Sequence, residues 1–301
     1  MYHKPRIHAC IFLGVIYISI RQALGQCMET VCRDLQKTEC PGTGPWEPVT
    51  EISILGDSTY QLILNTTGCP AENWTDVCTQ TRACAQSFIY RAPALPVLLE
   101  APMMFDTMLQ GRAYGGAVGF ANNAVPIYSP TDYAGRDAYV ETHAKRGACN
   151  GATASSGQYH YLGTPTCLAA VLSERTNEHS PRLGFAFDGF RIFGARDLQG
   201  RYPSDLDQCN GHVGPVPGED GGEGFIQYHY HTTDYLGPAS NATARDNGFP
   251  YTIGCFRGCP DTSNSLDLAN LGVDCVPALD QTDAMFVTIP PPPPYAPPYP
   301  P

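Results

Sequence analysis

Short apolar runs separated by turn residues dominate the first third of the chain. They lie at Ile52–Leu55, Tyr60–Leu64, Ser87–Tyr90 and Leu95–Leu99, with glycine, proline and asparagine between them. Runs of this length with such boundaries are typical of β-strands. The sequence therefore predicts a mainly β fold with few short helices, such as around Asp132–His143 or Cys167–Leu172.

An internal duplication organises the middle of the chain. The segment Gly119–Tyr128 aligns without gaps on Gly184–Phe193. Three further matches follow in the same order: Cys-Asn-Gly at 149–151 and 209–211, Tyr-His-Tyr at 159–161 and 228–230, and a cysteine at 167 and 255. Ordered matches of this kind indicate a repeat. We expect two related hairpin-based units, at about 115–167 and 184–258, packed into one disulfide-rich domain.

The second copy contains a strong hairpin signal at Asp188-Gly189, which separates two apolar alternating runs. A type I′ turn needs positive φ at both central residues, and Asp-Gly is one of its preferred pairs. The sequence thus predicts a type I′ hairpin here. Each copy would then be a hairpin, a loop and a strand carrying Tyr-His-Tyr, closed by a disulfide.

Four segments are expected along the chain. Residues 1–25 have a basic start, an apolar run and small residues at Ala23 and Gly25, the pattern of a cleaved secretion signal. Residues 26–48 form a cysteine-rich lead-in, and residues 49–276 a domain with the internal duplication. Residues 277–301 are a Pro/Tyr-rich tail, whose composition favours polyproline II and builds no packed core.

Cysteine usage and sequons predict a secreted glycoprotein. Of the 13 cysteines, Cys10 leaves with the signal, and the even number that remains suits disulfides in an oxidising compartment. Sequons for N-glycosylation occur at Asn65, Asn73 and Asn241. The disulfide candidates near the duplicated unit are Cys149 with Cys167, Cys209 and Cys255, and Cys259 with Cys275, although sequence alone leaves the pairing open.

Charge and hydropathy exclude some partners. The signal segment contains three cationic and no acidic residues, so its removal lowers the formal net charge from −11 to −14. An acidic surface repels nucleic acid and anionic lipid, and no later apolar stretch has the length of a membrane span. We expect a metal ion or a small ligand as partner, with wall or matrix components as possible further partners.

The histidines of the second copy are candidate metal ligands. Successive strand side chains face opposite ways, so His229 and His231 share one face of the Tyr228–His231 segment and its two tyrosines, Tyr228 and Tyr230, share the other. A third imidazole, from His212, completes a three-nitrogen set. Nitrogen ligands of this kind suit zinc or copper better than calcium. Alternatively, these histidines only brace the loops of a disulfide-rich sheet.

Two aspartates and an arginine extend this candidate site. Asp207 is placed among the ligands, as an extra ligand or an acceptor behind the imidazoles, and Asp188 is placed behind the site together with Tyr228 and Tyr230. Arg257 follows Cys255 and is suited to an anionic ligand, or to pairing with a neighbouring acid.

These motifs together resemble the YHYH domain family over roughly residues 50–260. The resemblance is most specific in the second copy, in the segments 187–190, 206–212, 228–231 and 249–258. The first copy departs from the family pattern at Ala152 and Leu162, where the family has histidine. The resemblance implies a secreted protein with this domain rather than a particular activity.

Three functions follow from these residues. The first is a secreted glycoprotein that binds a metal or another ligand through the histidine cluster of the second copy. The second is a metal-dependent enzyme, in which a cation activates water. The third is a structural cell-wall or extracellular-matrix component, suggested by the Pro/Tyr-rich tail. Whether the protein is an enzyme stays open, because no nucleophile elbow, phosphate loop or dinucleotide fingerprint occurs.

Overall fold

A nine-stranded sheet that runs through both copies of the repeat forms the centre of the computed structural model. The structure describes residues 32–40, 51–54, 60–70, 83–106, 108, 111–142, 146–218, 224–234, 248–269, 275–276 and 287–288. The expected signal segment 1–25, the sequons at Asn73 and Asn241, and all of the Pro/Tyr-rich tail except 287–288 lie outside these residues.

The strands and helices confirm the mainly β prediction. The described strands are β1 Glu51–Ile54, β2 Tyr60–Thr66, β3 Phe88–Pro93, β4 Leu98–Met104, β5 Ala117–Ala121, β6 Pro126–Tyr128, β7 Gly151–Thr153, β8 Tyr159–Tyr161, β9 Arg182–Ala186, β10 Arg191–Phe193, β11 Gly211–Val216, β12 Phe225–His231, β13 Cys255–Gly258 and β14 Val287–Thr288. The α-helices are α1 Ala138–Glu141, α2 Thr166–Val171 and α3 Leu266–Ala269, and 3-10 turns lie at Leu198–Gly200 and Thr262–Asn264. Helices α1 and α2 lie where the sequence predicts them.

The order of strands in the large sheet is nearly palindromic. It runs β11-β12-β10-β9-β5-β6-β8-β7, with β14 added on β12. The first copy supplies β5 to β8 and the second supplies β9 to β12, so each half places its hairpin at the centre, its Tyr-His-Tyr strand next, and the strand after Cys-Asn-Gly outermost. Two smaller sheets, β1-β2-β3 and β13-β4, complete the strand pairing among the described residues.

The two copies also share their internal register, including the irregularity in each hairpin. Strand β6 runs parallel to β8, as β10 does to β12. Equivalent pairs are Ala152 opposite His160 and His212 opposite His229, Gly119 opposite Ile127 and Gly184 opposite Ile192, and Ile127 opposite Tyr161 and Ile192 opposite Tyr230. The duplication seen in the sequence is therefore a duplication of backbone pairing.

Strands β5 and β9 join the two halves at the centre of the sheet. Phe120 lies opposite Phe185, and the pairs on either side of them are Gly119 with Ala186 and Ala121 with Gly184. This register is symmetric under exchange of the copies. Aromatic rings of Phe120, Phe185 and Phe187 pack in contact across this junction, which makes it the middle of the apolar core.

The prediction of a type I′ turn at Asp188-Gly189 is wrong. Gly189 has a φ of 90°, but Asp188 is not among the residues with positive φ. The Gly189 N–H donates to the Ala186 carbonyl and the Ala186 N–H donates to the Phe190 carbonyl. The hairpin therefore closes through a turn with one left-handed residue rather than two, and Ala124 holds the equivalent position in the first copy with a φ of 68°.

Five disulfides link the described residues. Cys149–Cys167 and Cys209–Cys255 each close one copy, and Cys259–Cys275 lies after the second. Cys32–Cys84 and Cys40–Cys69 tie the lead-in to the strands that follow it. This number of disulfides is consistent with an extracellular protein. Within the described residues, none of the helices is long and apolar enough to cross a bilayer.

Candidate metal centre

Three histidine side chains of the second copy meet on one face of the edge hairpin β11–β12. His212 lies opposite His229 in the antiparallel register, and His231 lies two residues further along β12 on the same face. The two β12 side chains are fully buried, and His212 is only 9% exposed. Tyr228 and Tyr230 point to the other face and are also buried, so the strand divides its residues as the alternation predicts.

The Nε2 atoms of these three imidazoles form a nearly equilateral triangle. The distance is 3.2 Å between His212 and His229, 3.0 Å between His229 and His231, and 3.2 Å between His231 and His212. Nitrogens bound tetrahedrally at about 2.0 to 2.1 Å from zinc lie about 3.3 Å apart. The triangle therefore has nearly the dimensions of three ligands on one ion.

Hydrogen bonds on the far side of each ring fix its tautomer. The Nδ1 of His229 lies 2.9 Å from the Gln227 carbonyl, and that of His231 lies 2.7 Å from the Gly194 carbonyl. The Nδ1 of His212 lies 2.9 Å from the Asp205 carboxylate. Carbonyl and carboxylate oxygens accept, so each Nδ1 donates its hydrogen to them and each Nε2 faces the other two rings.

The Nε2 atoms of His229 and His231 face each other at 3.0 Å, and with hydrogen on both Nδ1 atoms neither neutral ring has a proton to donate there. A hydrogen bond between these two nitrogens would need one protonated ring, yet burial lowers the pKa of His229 to about 2 and that of His231 to about 3. Both rings are therefore neutral near pH 7. A cation at the centre of the triangle would satisfy all three acceptors together, so the donor set fits a metal ion.

A fourth histidine, His179, joins this cluster from the segment before β9. A ring nitrogen of His179 lies within 4.8 Å of ring nitrogens of both His229 and His231. Its Nδ1 lies 2.8 Å from the Ser180 carbonyl, and its Nε2 is buried with no hydrogen-bond partner. Burial also lowers the pKa of His179. The ring packs edge-on against Phe193, which limits its rotation.

No sequence pattern pointed to His179 or Asp205. His179 lies outside every matched motif, and its only sequence signal is its place five residues before Gly184, where the first copy has Tyr114. Asp205 lies two residues before the aspartate chosen from the sequence. Its carboxylate holds the His212 ring, which is the common arrangement of a carboxylate behind a metal-binding histidine.

Asp207 instead organises the Cys-Asn-Gly turn. Its carboxylate accepts hydrogen bonds from the backbone N–H groups of Cys209 and Gly211 and from the Tyr228 hydroxyl. Because Tyr228 faces away from the imidazoles, these bonds hold Asp207 on the tyrosine side of β12. Arg257 pairs with the same carboxylate at 3.5 Å, which is the neighbouring-acid arrangement considered for it.

Asp188 also makes its hydrogen bonds on the tyrosine side of β12. It accepts hydrogen bonds from the Tyr230 hydroxyl and from the backbone N–H groups of Phe190, Arg257 and Gly258. Its side chain is fully buried, and this burial raises its pKa to about 6. Asp188 thus links the hairpin turn to strands β12 and β13, and it supports the histidine strand from behind.

Comparison with known families identifies part of the duplicated unit. Residues 136–201 match the family model of the YHYH protein. The YHYH match confirms the family resemblance over part of the expected span of roughly 50–260, and it covers the first Cys-Asn-Gly turn, the first Tyr-His-Tyr strand and the second hairpin. It ends before the second Cys-Asn-Gly turn. No curated protein and no solved structure matches the chain significantly.

The Tyr-His-Tyr strand inside the YHYH match carries a single histidine, His160. Its Nδ1 lies 3.3 Å from the Gln158 carbonyl, as the equivalent His229 ring bonds to Gln227. The other three positions of the cluster are Tyr114, Ala152 and Leu162, and the His160 ring stacks on Tyr128 at 4.0 Å between centroids. The first copy thus keeps the backbone of the site without its ligands.

His160 should make the protein sensitive to acid. Burial lowers its pKa from 6.5 to about 4, so between these pH values the unfolded chain binds a proton that the folded chain excludes. The free energy of unfolding therefore falls as the pH falls. At pH 4.5 this one residue should cost about 2.5 kcal/mol relative to neutral pH. Urea unfolding of the wild type and of His160→Phe at pH 7.5 and 4.5 measures the effect.

The phenylalanine ring keeps the stacking on Tyr128 and removes the titration. Its loss of the hydrogen bond to Gln158 costs the same free energy at both pH values, so it cancels in the comparison. We expect the drop in stability between the two pH values to be smaller in His160→Phe by about 2.5 kcal/mol. Equal drops in the two proteins would mean that the buried ring is protonated in the folded state.

Proposed function

We propose that this protein binds one late first-row transition-metal ion, zinc or copper, through Nε2 of His212, His229 and His231. The observation that carries the proposal is the triangle of three buried imidazole nitrogens separated by 3.0 to 3.2 Å. His179 supplies a fourth nitrogen from the segment before β9.

The type of donor supports this choice of ion. Neutral imidazole nitrogens bind zinc and copper well and bind calcium and magnesium poorly, because the latter two prefer oxygen. Each ligand is held by a second contact, three through backbone carbonyls and one through Asp205. Such contacts reduce the freedom that the rings would lose on binding, so they favour a tight site.

Binding is favoured over metal-dependent catalysis by His179. Catalytic zinc sites keep one position for water beside three protein ligands, whereas sites that only bind the ion are closed by four. With His179 as fourth nitrogen, a tetrahedral ion has no position left for water. His229 and His231 are fully buried as well, which restricts the approach of a substrate.

Metal analysis of the purified protein tests the proposal. Protein from a secretory host should contain one zinc or copper ion per chain, and protein stripped with a chelator should take up one equivalent of zinc with a rise in melting temperature. A stripped protein that takes up less than a tenth of an equivalent, with an unchanged melting temperature, would leave the histidines with the bracing role alone.

Removing the fourth nitrogen should open the site without emptying it. In His179→Ala the other three histidines remain, so we expect one ion per chain, bound about ten- to a hundredfold more weakly. With cobalt as the ion, the visible spectrum of this variant should change when azide is added, and that of the wild type should not. An azide response of equal size in the wild type would show that an open position exists with His179 in place.

We place the metal-binding protein outside the cell as a glycoprotein. The five disulfides support an oxidising compartment. Asn65 supports the glycan assignment, because it is exposed on β2. A wall or matrix role for the Pro/Tyr-rich tail stays an alternative. Secretion from a eukaryotic host, followed by a mass shift on glycosidase treatment that is smaller by one glycan in Asn65→Gln, tests the glycan at this position.

A further inference from the structure

A half-open hollow of about 360 Å³ lies directly beside the histidine cluster. Helix α2, the segment that follows it, the end of β10 and the end of β12 form its walls. The polar residues that line it are Thr164, Thr166, Glu174, Thr176, Arg196, Tyr202 and Asp234. Its volume falls in the range of small-molecule sites.

The hollow and the cluster share three stretches of chain. Ser180 follows His179 and donates its hydroxyl hydrogen to Glu174 of the hollow, at 2.7 Å. Ala195 lines the hollow next to Gly194, whose carbonyl fixes His231. The third connection runs through Thr232, which directly follows His231 and accepts a hydrogen bond from Thr164. The walls are thus held by the same framework that orients the imidazoles.

A glycine makes this close approach possible. A Cβ built on Gly194 would lie 2.7 Å from the Ser180 Cβ and 3.2 Å from a carboxylate oxygen of Glu174. A side chain at position 194 would collide with Ser180 and crowd the Glu174 carboxylate. The Ser180 hydroxyl, seated against Gly194, holds this carboxylate at the hollow.

Acceptors and donors both face the hollow. Glu174 and Asp234 each have one carboxylate oxygen without a hydrogen-bond partner among the described residues. Arg196 is fixed by the Gly200 carbonyl and the Tyr202 hydroxyl, and its guanidinium lies over the Tyr202 ring at 4.7 Å. Tyr202 and Thr176 add hydroxyl groups that can donate.

The remaining lining is apolar but small. It consists of the methyl groups of Ala169, Ala170 and Ala195 together with the Tyr202 ring. A ligand for this hollow needs hydroxyl groups that both donate and accept, and a face of C–H groups for the alanines and the ring. Two carboxylates against one guanidinium exclude an anion, because their net charge is negative.

We propose that the hollow binds a neutral sugar ring. The ring would donate hydroxyl hydrogens to Glu174 and Asp234 and would rest its C–H face on the alanines and Tyr202. Such a ring is available as a free monosaccharide or as the terminal residue of a glycan. The site is separate from the metal ligands, so it does not depend on the proposed metal function.

Saturation-transfer NMR followed by calorimetry tests this site in the full-length secreted protein. The probes are glucose, galactose, mannose and N-acetylglucosamine, each as the monosaccharide and as the end of a disaccharide. We expect at least one to bind with a millimolar or lower dissociation constant, and Asp234→Asn and Glu174→Gln to weaken it about tenfold or more. Glu178→Gln removes an exposed acid outside the hollow and should bind as the wild type does.

The set of probes that bind distinguishes a free monosaccharide from the terminal residue of a glycan, and it also identifies the results that contradict the proposal. Binding to monosaccharide and disaccharide alike indicates a free sugar, whereas binding to the disaccharide alone indicates a glycan end. No binding to any sugar, binding that both hollow variants leave unchanged, or preferential binding of ethanolamine would overturn the proposal. The metal content of both variants, measured alongside, should stay at that of the wild type, so failure here is distinguishable from failure of the metal site.

Discussion

Replacing His229 with glutamine should remove the metal from this protein, lowering its zinc affinity by more than about a hundredfold. The Nε2 of His229 lies 3.2 Å from that of His212 and 3.0 Å from that of His231. The variant therefore lacks one of the three nitrogen ligands. Glutamine is close in size and polar, which limits collapse of the strand. Isothermal titration of the stripped variant with zinc, together with elemental analysis, measures the loss.

The duplication supplies a matched control for this substitution. His160 occupies the equivalent position on β8, is buried, and bonds through Nδ1 to the equivalent carbonyl. His160→Gln should therefore perturb the fold as His229→Gln does, while leaving the metal content at one ion per chain. One ion per chain in both variants would contradict a site in the second copy, and loss of metal in both would indicate an effect through stability.

Gly184→Ala should unfold the protein or lower its free energy of unfolding by about 3 kcal/mol or more. A Cβ at this position would lie 2.1 Å from the Phe120 carbonyl oxygen and 2.8 Å from the Cα of Ala121. Both atoms belong to the backbone of β5, which joins the two halves of the sheet. Neither can move aside without breaking the β5–β9 pairing, so the cost exceeds that of a crowded side chain.

Symmetry extends this prediction to Gly119→Ala, because a Cβ there would lie 2.4 Å from the Phe185 carbonyl oxygen. Gly111→Ala is the control, since it has a φ of 83° but no atom within 4 Å of the added carbon. It should cost only about 1 kcal/mol, from backbone strain. Chemical unfolding of the three variants checks the order, and a Gly184→Ala protein as stable as Gly111→Ala would refute the close approach of β5 and β9.

Local patterns in the sequence account for most of the histidine triangle. The side-chain alternation of a strand places His229 and His231 on one face, and the Cys-Asn-Gly-His segment before it suggests a pairing partner for that strand. These features depend on residues close in sequence or on the repeat, so they can be predicted without a tertiary structure. The positions of α1 and α2 and the mainly β fold were accessible for the same reason.

His179 and Asp205 could not be predicted in this way, because they reach the cluster through loops. The approach of His179 depends on how the segment before β9 packs against Phe193, a contact between elements with no periodic signal. Asp205 and Asp207 are two residues apart in an irregular segment, where spacing does not decide direction. The hydrogen bonds of the Cys-Asn-Gly turn hold Asp207 away from the imidazoles and leave Asp205 to reach His212.

The junction between the copies was the other feature that the sequence did not disclose. The duplication predicts two similar units, but many packings of two units are possible. The glycine of each Gly-Phe-Ala segment was the available sign, because a residue without a side chain permits a backbone to approach closely. Only the pairing of Phe120 with Phe185 shows that the halves form one continuous sheet.

X-ray absorption spectroscopy of the zinc-loaded protein is the most direct test of the metal centre. We expect a first shell of about four nitrogens at about 2.0 Å, with the outer-shell scattering of at least three imidazole rings, since the Nε2 atoms of three histidines meet at one point and His179 lies beside them. A first shell made mainly of oxygen or sulfur, or outer-shell scattering from fewer than three imidazoles, would contradict a metal centre built from this cluster.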